Sequence, residues 1–351
     1  MAERTHLKVS GGTRRDLGLD RGVQLSKSLA GAYAKYAELF RVLGVSESQE
    51  RDAVAQVVAA LRNWRPEVAE ELEGIAEGSG LELAHIVALN ARTEILALAP
   101  RGASECSTVT TEVAGRRRGV QTWDWHIELD SFWHTHEVDG PGYRYVGLTE
   151  QGIVSKIGVN EAGLALHFNI LGHRADGPSG VPMHVLSSVV LTECATVREA
   201  VELIHAAPIS SSSAFTMLDS REAVSVEMSP EGVFEIPEIG SSVQRTNHFQ
   251  TSALLESQKT EIYEPDSSER LELLRERLSQ GIPDQAEELV ELLVSGDGEP
   301  PLTCVPDMSK RFGDRWATLA TIVTDPAARS LEILDGTPVD RATRPWRVLR
   351  A

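Results

Sequence analysis

The chain has 351 residues, 41% of them hydrophobic, which is ordinary for a globular protein with a sizeable core. Its 52 acidic against 34 basic residues give a formal charge of -18, which repels phosphate backbones and anionic lipid and so excludes nucleic acid and membrane as ready partners. Three cysteines without a CxxC pair argue against a disulfide framework or zinc knuckle, and with no long apolar run and a polar Met1–Asp20 they fit a cytoplasmic location.

In chain order, the first hundred residues read as helix. Val23 to Leu43 is Ala/Leu-rich and ends at Gly44. The glycines from Gly12 to Gly22 match neither the dinucleotide fingerprint nor the Walker loop, and are expected to form a turn leading into that helix. Ser46 followed by Gln49 is a capping-box pattern for a helix reaching about Trp64. Pro66 opens another helix, and Glu82 to Leu98 forms a fourth, stopped by Pro100.

After that the texture changes to strands. Cys106–Val113 and Gly119–Trp125 flank the turn 114–118, a solvated tip carrying Arg116, Arg117 and Arg118. Tyr143–Leu148, Ile153–Val159 and Leu164–Ile170 follow, then helices at Pro182–Glu193 and Thr196–His205. Strands resume at Ser213–Leu218, Ala223–Met228, Gly232–Ile236 and Ser242–Thr246. Helices are expected near Ser267–Leu278 and Pro283–Val294, and a closing hairpin pairs Ala317–Thr324 with Ser330–Leu334. Hairpins interrupted by paired helices suggest an α+β protein, with two antiparallel sheets between helical layers.

Several residues carry potential chemistry. Cys106 opens a β-prone run, although a lone cysteine is more often structural. Asp124 lies between Trp123 and Trp125. On a strand it faces away from both tryptophans and needs a partner, such as an Arg or an ammonium. Asn247 ends a strand beside His248; its amide suits an oxyanion hole, and a turn is the bland alternative. Arg315 precedes a strand and can pair with Asp124 or remain on the surface. His134 and His136 share a strand face but have no third ligand in view, so a solvated loop is expected and no metal. Cys194 and Cys304 read as small buried hydrophobes. Trp123, Trp125, Phe132 and Trp133 form an aromatic group suited to an apolar acyl pocket or, more simply, to the core.

Taken in order, Cys106-Ser107-Thr108, Gln121-Thr122-Trp123-Asp124, Gly158 to Ala165, Thr246-Asn247-His248 and Arg315-Trp316-Ala317-Thr318-Leu319 resemble the isopenicillin N acyltransferase family of self-cleaving N-terminal-nucleophile hydrolases. The resemblance runs from about Gly12 to Pro338 and implies a four-layer αββα sandwich. It implies cleavage between Glu105 and Cys106, giving an α chain 1–105 and a β chain 106–351 that together form one structural unit. It implies Cys106 as nucleophile, Asp124 and Arg315 as a supporting charged pair, Thr108 as a local hydroxyl partner and Asn247 as oxyanion donor. Trp123, Trp125, His126 and Phe132 become the expected wall of the substrate pocket, the substrate a small acyl amide, peptide-like conjugate or thioester, with no metal or redox cofactor. Glu105 departs from the family's best-known Gly–Cys junction and gives the backbone less freedom there. Two alternatives remain at this point: an uncleaved Cys106–His248 amidase, and a non-catalytic binding protein on the same fold.

Overall fold

The structure is a computed structural model that describes residues 4–99, 106–260, 266–283 and 285–351. Strand β1 (His6–Ser10) leads into α1 (Arg14–Leu25), α2 (Leu29–Val42), α3 (Glu47–Trp64), α4 (Pro66–Ser79), α5 (Leu83–Asn90) and α6 (Arg92–Leu96). Then come β2 (Cys106–Val113), β3 (Arg116–His126), β4 (Trp133–Asp139), β5 (Tyr145–Glu150), β6 (Ile157–Asn160) and β7 (Ala165–Ile170). Helices α7 (Met183–Glu193) and α8 (Val197–Ala206) precede β8 (Ser213–Leu218), β9 (Ala223–Ser229), β10 (Gly232–Pro237) and β11 (Val243–Arg245). The chain closes with α9 (Ser267–Gln280), α10 (Ala286–Glu291), β12 (Trp316–Asp325), β13 (Ser330–Asp335) and β14 (Trp346–Arg350).

Two sheets stack face to face. One has eight strands in the order β1-β4-β5-β6-β7-β8-β9-β10, and the other six in the order β11-β2-β3-β12-β13-β14. Helices α1, α7 and α8 cover the outer face of the first, and α9 and α10 that of the second, which gives the four-layer αββα order. The first sheet is mixed rather than antiparallel, because β1 pairs parallel with β4. That pairing buries His134 and His136 inside the sheet, where a solvated loop was expected.

The helical region differs from expectation in a way the glycines explain. Helix α1 begins at Arg14, capped by Thr13 and Asp16, rather than at Val23. Gly18 and Gly22 are packing residues inside it: a Cβ on Gly18 would lie 2.0 Å from the Glu71 carbonyl oxygen, and one on Gly22 2.4 Å from that of Ile75. Only glycine lets α1 and α4 approach this closely. The Ser46–Gln49 capping box and the Pro66 helix start form as expected. The strand expected at Ile153–Val159 is reduced to Ile157–Asn160, because Gly152 adopts a φ of 83° and turns the chain after β5.

Strand β2 places the candidate nucleophile. It is rich in Thr and Val, which favour the pleated conformation, and it pairs with β3 through the full register from Cys106↔Trp123 to Val113↔Arg116. Its Val109 and Val113 face α9 and α10. Cys106 and Thr108 therefore point the other way, into the space between the sheets. The turn tip is not simply solvated: Arg116 and Arg118 pair with Asp325, and Arg117 with Glu238.

Candidate active site

Cys106 is the first residue of β2, and side chains hold its backbone on both sides. Its N–H donates to Asn247 Oδ1 at 2.7 Å. Its carbonyl oxygen accepts from Asn169 Nδ2 at 2.8 Å and from Arg270 Nη1 at 3.3 Å. The sulfur lies 3.9 Å from the Asp124 carbonyl oxygen. Burial, and then the Asp124 carboxylate, push the thiol up to about 12, while Lys156 and Arg270 pull the other way. At neutral pH this thiol is protonated and needs a base before it can attack.

The supporting residues come from three elements. Thr108 Oγ1 donates to Asn169 Oδ1 at 2.9 Å, so the carboxamide of β7 that holds Cys106 is itself oriented by a hydroxyl of β2. Asn247 follows β11; its N–H donates to Ser267 Oγ at 2.9 Å, and its Nδ2 donates to the Ile170 carbonyl at 3.0 Å. Arg270, fully buried on α9, reaches Asn247 Oδ1 at 3.3 Å and Ser107 Oγ at 3.1 Å and is anchored by Asp266 at 3.1 Å. In this arrangement Asn247 faces the Cys106 nitrogen with its acceptor oxygen.

The expected Asp124–Arg315 pair is not formed. Asp124 Oδ1 accepts from Thr318 Oγ1 at 2.5 Å, while Arg315 Nη1 pairs with Glu128 at 3.2 Å and its Nε donates to the Lys310 carbonyl. Strand register gives the reason. Thr318 stands opposite Asp124, and Arg315 is three residues earlier, about 10 Å along the strand and on the other face. A bulge at Leu319, between the Thr318↔Asp124 and Ala320↔Trp123 pairs, turns Thr318 to the Asp124 side. The Cys106 nitrogen donates to Asn247.

Among the residues expected to contact substrate, Trp123 is the cross-strand partner of Cys106 and shares its face. Trp125 and His126 are buried and spoken for. Trp125 donates to Tyr36 OH at 2.9 Å and packs edge-on against Trp316, with Arg92 4.0 Å above its ring. His126 leans on Trp316, and burial pushes it down to about 3. Phe132 is half-buried against the core. Glu105 lies outside the described residues. His248 is bonded through Nδ1 to Ser267 at 2.8 Å and to Thr246 at 3.2 Å; burial and Arg245 push it down to about 4. The hydrogen bonds of Cys106 among the described residues do not include it.

Sequence reasoning missed Asn169, Arg270, Lys156 and Glu150. Arg270 carried no signal in the sequence: its i,i+4 spacing to Asp266 is also that of an ordinary surface pair. Lys156 did carry a signal, since a single lysine in the apolar run 153–159 must find a buried partner. That partner is Glu150, at 2.5 Å. Among the described residues no three His, Cys, Asp or Glu side chains converge as a metal set, and no helix is long and apolar enough to cross a membrane.

Comparison with known proteins supplies the family. Residues 115–339, more than half of the chain, match the model of the acyl-coenzyme A:6-aminopenicillanic acid acyl-transferase family. That span contains Asp124, Lys156, Asn169, Asn247, Arg270 and Arg315. The 40 kDa form of acyl-coenzyme A:6-aminopenicillanic-acid-acyltransferase from Emericella nidulans is 29% identical over 280 residues, which are 79% of this chain and 77% of that protein. Two solved structures are similar at lower identity. An orthologue of N-acylethanolamine-hydrolyzing acid amidase from Caenorhabditis elegans has 14% identity and a TM-score of 0.46, covering 70% of this chain and 100% of that one. A variant of conjugated bile acid hydrolase from Clostridium perfringens has 11% identity and a TM-score of 0.47, covering 70% and 97%. With the acyl-transferase model matched over most of its length, this chain belongs to the acyl-coenzyme A:6-aminopenicillanic acid acyl-transferase family.

Proposed function

We propose that the protein is a self-processing cysteine amidohydrolase or acyltransferase that handles small acyl amides or thioesters through an acyl-Cys106 intermediate. The observation that supports this most is the 2.7 Å hydrogen bond from the Cys106 nitrogen to Asn247 Oδ1. In the uncleaved chain that nitrogen is an amide. Once the bond to Glu105 is cut it is an α-amine, with an ordinary pKa of about 7.7–8.0. The same acceptor then holds the amine beside the thiol that it must deprotonate.

Maturation begins when the thiol adds to the Glu105 carbonyl carbon. The C–N bond breaks, the thiol proton passes to the departing nitrogen, and a thioester forms. Water hydrolyses it, leaving the Glu105 carboxylate, a free thiol and the new α-amine. In turnover the α-amine takes the thiol proton, and sulfur attacks the substrate's acyl carbon. The tetrahedral oxyanion collapses, the proton goes to the leaving group, and the acyl group stays on sulfur. Water or an acceptor amine then removes it. In this scheme Asn247 has two roles: Oδ1 orients the amine and the amide group donates to the oxyanion. Asn169, Thr108 and Arg270 fix the Cys106 backbone, and Thr318 holds Asp124. Residues 1–105 remain with 106–351 as two chains of one unit.

Trp123, on the nucleophile's own face, makes an apolar or aromatic acyl group the favoured cargo. A panel of acyl amides and thioesters, run with and without an added amine, tests this reading. Quenched reactions should contain the β chain heavier by one acyl group on its N-terminal peptide. An enzyme that turns over a panel member while the adduct maps to another residue contradicts it.

A further inference from the structure

Four arginines among the described residues are fully buried: Arg21, Arg92, Arg245 and Arg270. Three of them face a carboxylate. Arg92 pairs with Glu150 at 2.7 Å, Arg270 with Asp266 at 3.1 Å, and Arg245 with Glu227. Arg21, on α1, pairs with no carboxylate among the described residues. Its Nη1 donates to His136 Nδ1 on β4 at 3.1 Å, while its Nε and Nη2 are buried without a hydrogen-bond partner. Glu71 of α4, which like Arg21 acts on the buried Tyr145, is taken by Arg14 at 3.0 Å.

The groups around Arg21 are neutral, and the free ones are donors. A guanidinium has N–H donors and no acceptor, so His136 Nδ1 is the acceptor and the proton of the neutral ring sits on Nε2. That Nε2 is also buried without a partner, as are both nitrogens of His134, one of which carries a proton. Burial, and then Arg21, push both imidazoles down, His134 to about 3 and His136 well below its ordinary value. The two rings share the α1-facing side of β4, with their centres 6.0 Å apart. Tyr145 packs edge-on against His136 at 5.3 Å and donates its hydroxyl proton to the Val154 carbonyl at 3.2 Å. One positive charge and several N–H groups therefore lack an acceptor. A water oxygen would accept from the N–H groups but leave the charge uncompensated, which is costly in the interior. An anion answers both.

We propose that Arg21, with His134 and His136 beside it, forms an internal site for a small monovalent anion, a halide such as chloride. Arg21 Nε and Nη2 are its charged donors, and an imidazole N–H completes the shell. Arg21, His134 and His136 are all 0% exposed, so the site is closed and takes an ion of halide size rather than an organic acid. Arg21 lies in the segment 1–105 and the two histidines lie in 106–351. The anion therefore ties the two segments together, whether or not the chain is cut before Cys106, and the site stands independently of the activity proposed above. Because the unfolded chain lacks this arrangement, the anion stabilises the folded protein by mass action.

The test is urea unfolding at neutral pH and fixed protein concentration, in wild type and Arg21→Met. Chloride is replaced stepwise by gluconate, too bulky for a closed site, at constant ionic strength. The wild-type midpoint should rise with chloride, by roughly 0.5 M urea for each tenfold step above the dissociation constant. Arg21→Met removes the charge and fills its place with an apolar chain, so its midpoint should not respond. Equal slopes in the two proteins overturn the proposal as a general salt effect. No slope in either overturns it as well, leaving the guanidinium to water. If Arg21→Met yields no folded protein, wild-type crystals grown in bromide decide. An anomalous peak in hydrogen-bond contact with Arg21 Nε or Nη2 supports the site, and density there without anomalous signal overturns it.

Discussion

Asn247 Oδ1 accepts a hydrogen bond from the backbone nitrogen of Cys106 across 141 residues of sequence. One carboxamide thus faces the nitrogen that would be the α-amine of a cleaved chain, with its own placement set by Ile170 and Ser267. Asn247→Ala removes both the acceptor and the donor. It should lower kcat about 10²–10³-fold, the usual effect of losing one oxyanion donor, with a modest change in KM. Asn247→Asp keeps an acceptor for the amine but sets a negative charge beside the oxyanion, and should be no better. Steady-state kinetics, with folding checked by circular dichroism, reads both. A well-folded alanine variant with wild-type kcat places the oxyanion donors elsewhere.

The Asp124–Thr318 bond replaces the pair expected with Arg315, and the two arrangements make opposite predictions. Thr318→Val keeps the shape but removes a hydrogen bond from a buried carboxylate. It should destabilise the protein by about 1–3 kcal/mol, while Thr318→Ser loses much less. Arg315→Gln breaks a half-exposed pair with Glu128 and should cost under about 1 kcal/mol. Urea unfolding midpoints order the three. A larger loss from Arg315→Gln than from Thr318→Val contradicts this assignment.

The hairpin that sets the β2–β3 register contains a stabilising opportunity. Its two-residue turn has Ala114 at φ 50° and Gly115 at φ 73°. Left-handed backbone costs a residue bearing a Cβ about 1–2 kcal/mol. Ala114→Gly relieves that at some entropic cost, and Ala114→Asn suits the turn as well. Both should raise the unfolding free energy by up to about 1 kcal/mol, read as a higher urea midpoint, without touching activity, and a drop in stability for both counts against the turn geometry.

Acid sensitivity follows from the buried histidines. Burial holds His126, His134 and His167 down at about 3, and His136 and His184 well below their ordinary value. The unfolded chain binds these protons below about pH 6.5, whereas the folded chain refuses them. Stability present above pH 6.5 is therefore lost as pH falls toward 3. Glu94, raised to about 7, opposes this by one proton, since its folded form protonates first. Between pH 6.5 and 5 most carboxylates stay ionised in both states, so the histidines dominate. Urea midpoints should fall over that window, and fall further in Glu94→Gln. A flat profile there contradicts burial of the neutral imidazoles.

Local signals made much of this legible. The strands from Cys106 to Val113 and from Gly119 to Trp125 and the turn between them were readable, and Ser46 with Gln49 and Pro66 marked helix starts that the structure keeps. Gly18 and Gly22 misled because a packing glycine and a turn glycine look alike until the partner helix, with Glu71 and Ile75, is in place. Arg315 misled because a one-residue bulge at Leu319 decides which side chain faces Asp124, and a bulge leaves no mark on composition. Asn169 and Arg270 were invisible because each reaches Cys106 from a distant element. Lys156 was missed although a lone lysine in an apolar run needs a buried partner, because Glu150 had not been singled out as that partner.

Intact mass of freshly purified protein under denaturing conditions, for wild type and Cys106→Ala, tests the central claim most directly. The account predicts two wild-type chains, ending at Glu105 and starting at Cys106, and one uncut chain of 38.2 kDa for the variant. A wild-type protein that stays at 38.2 kDa, or an alanine variant cut at the same bond, contradicts it.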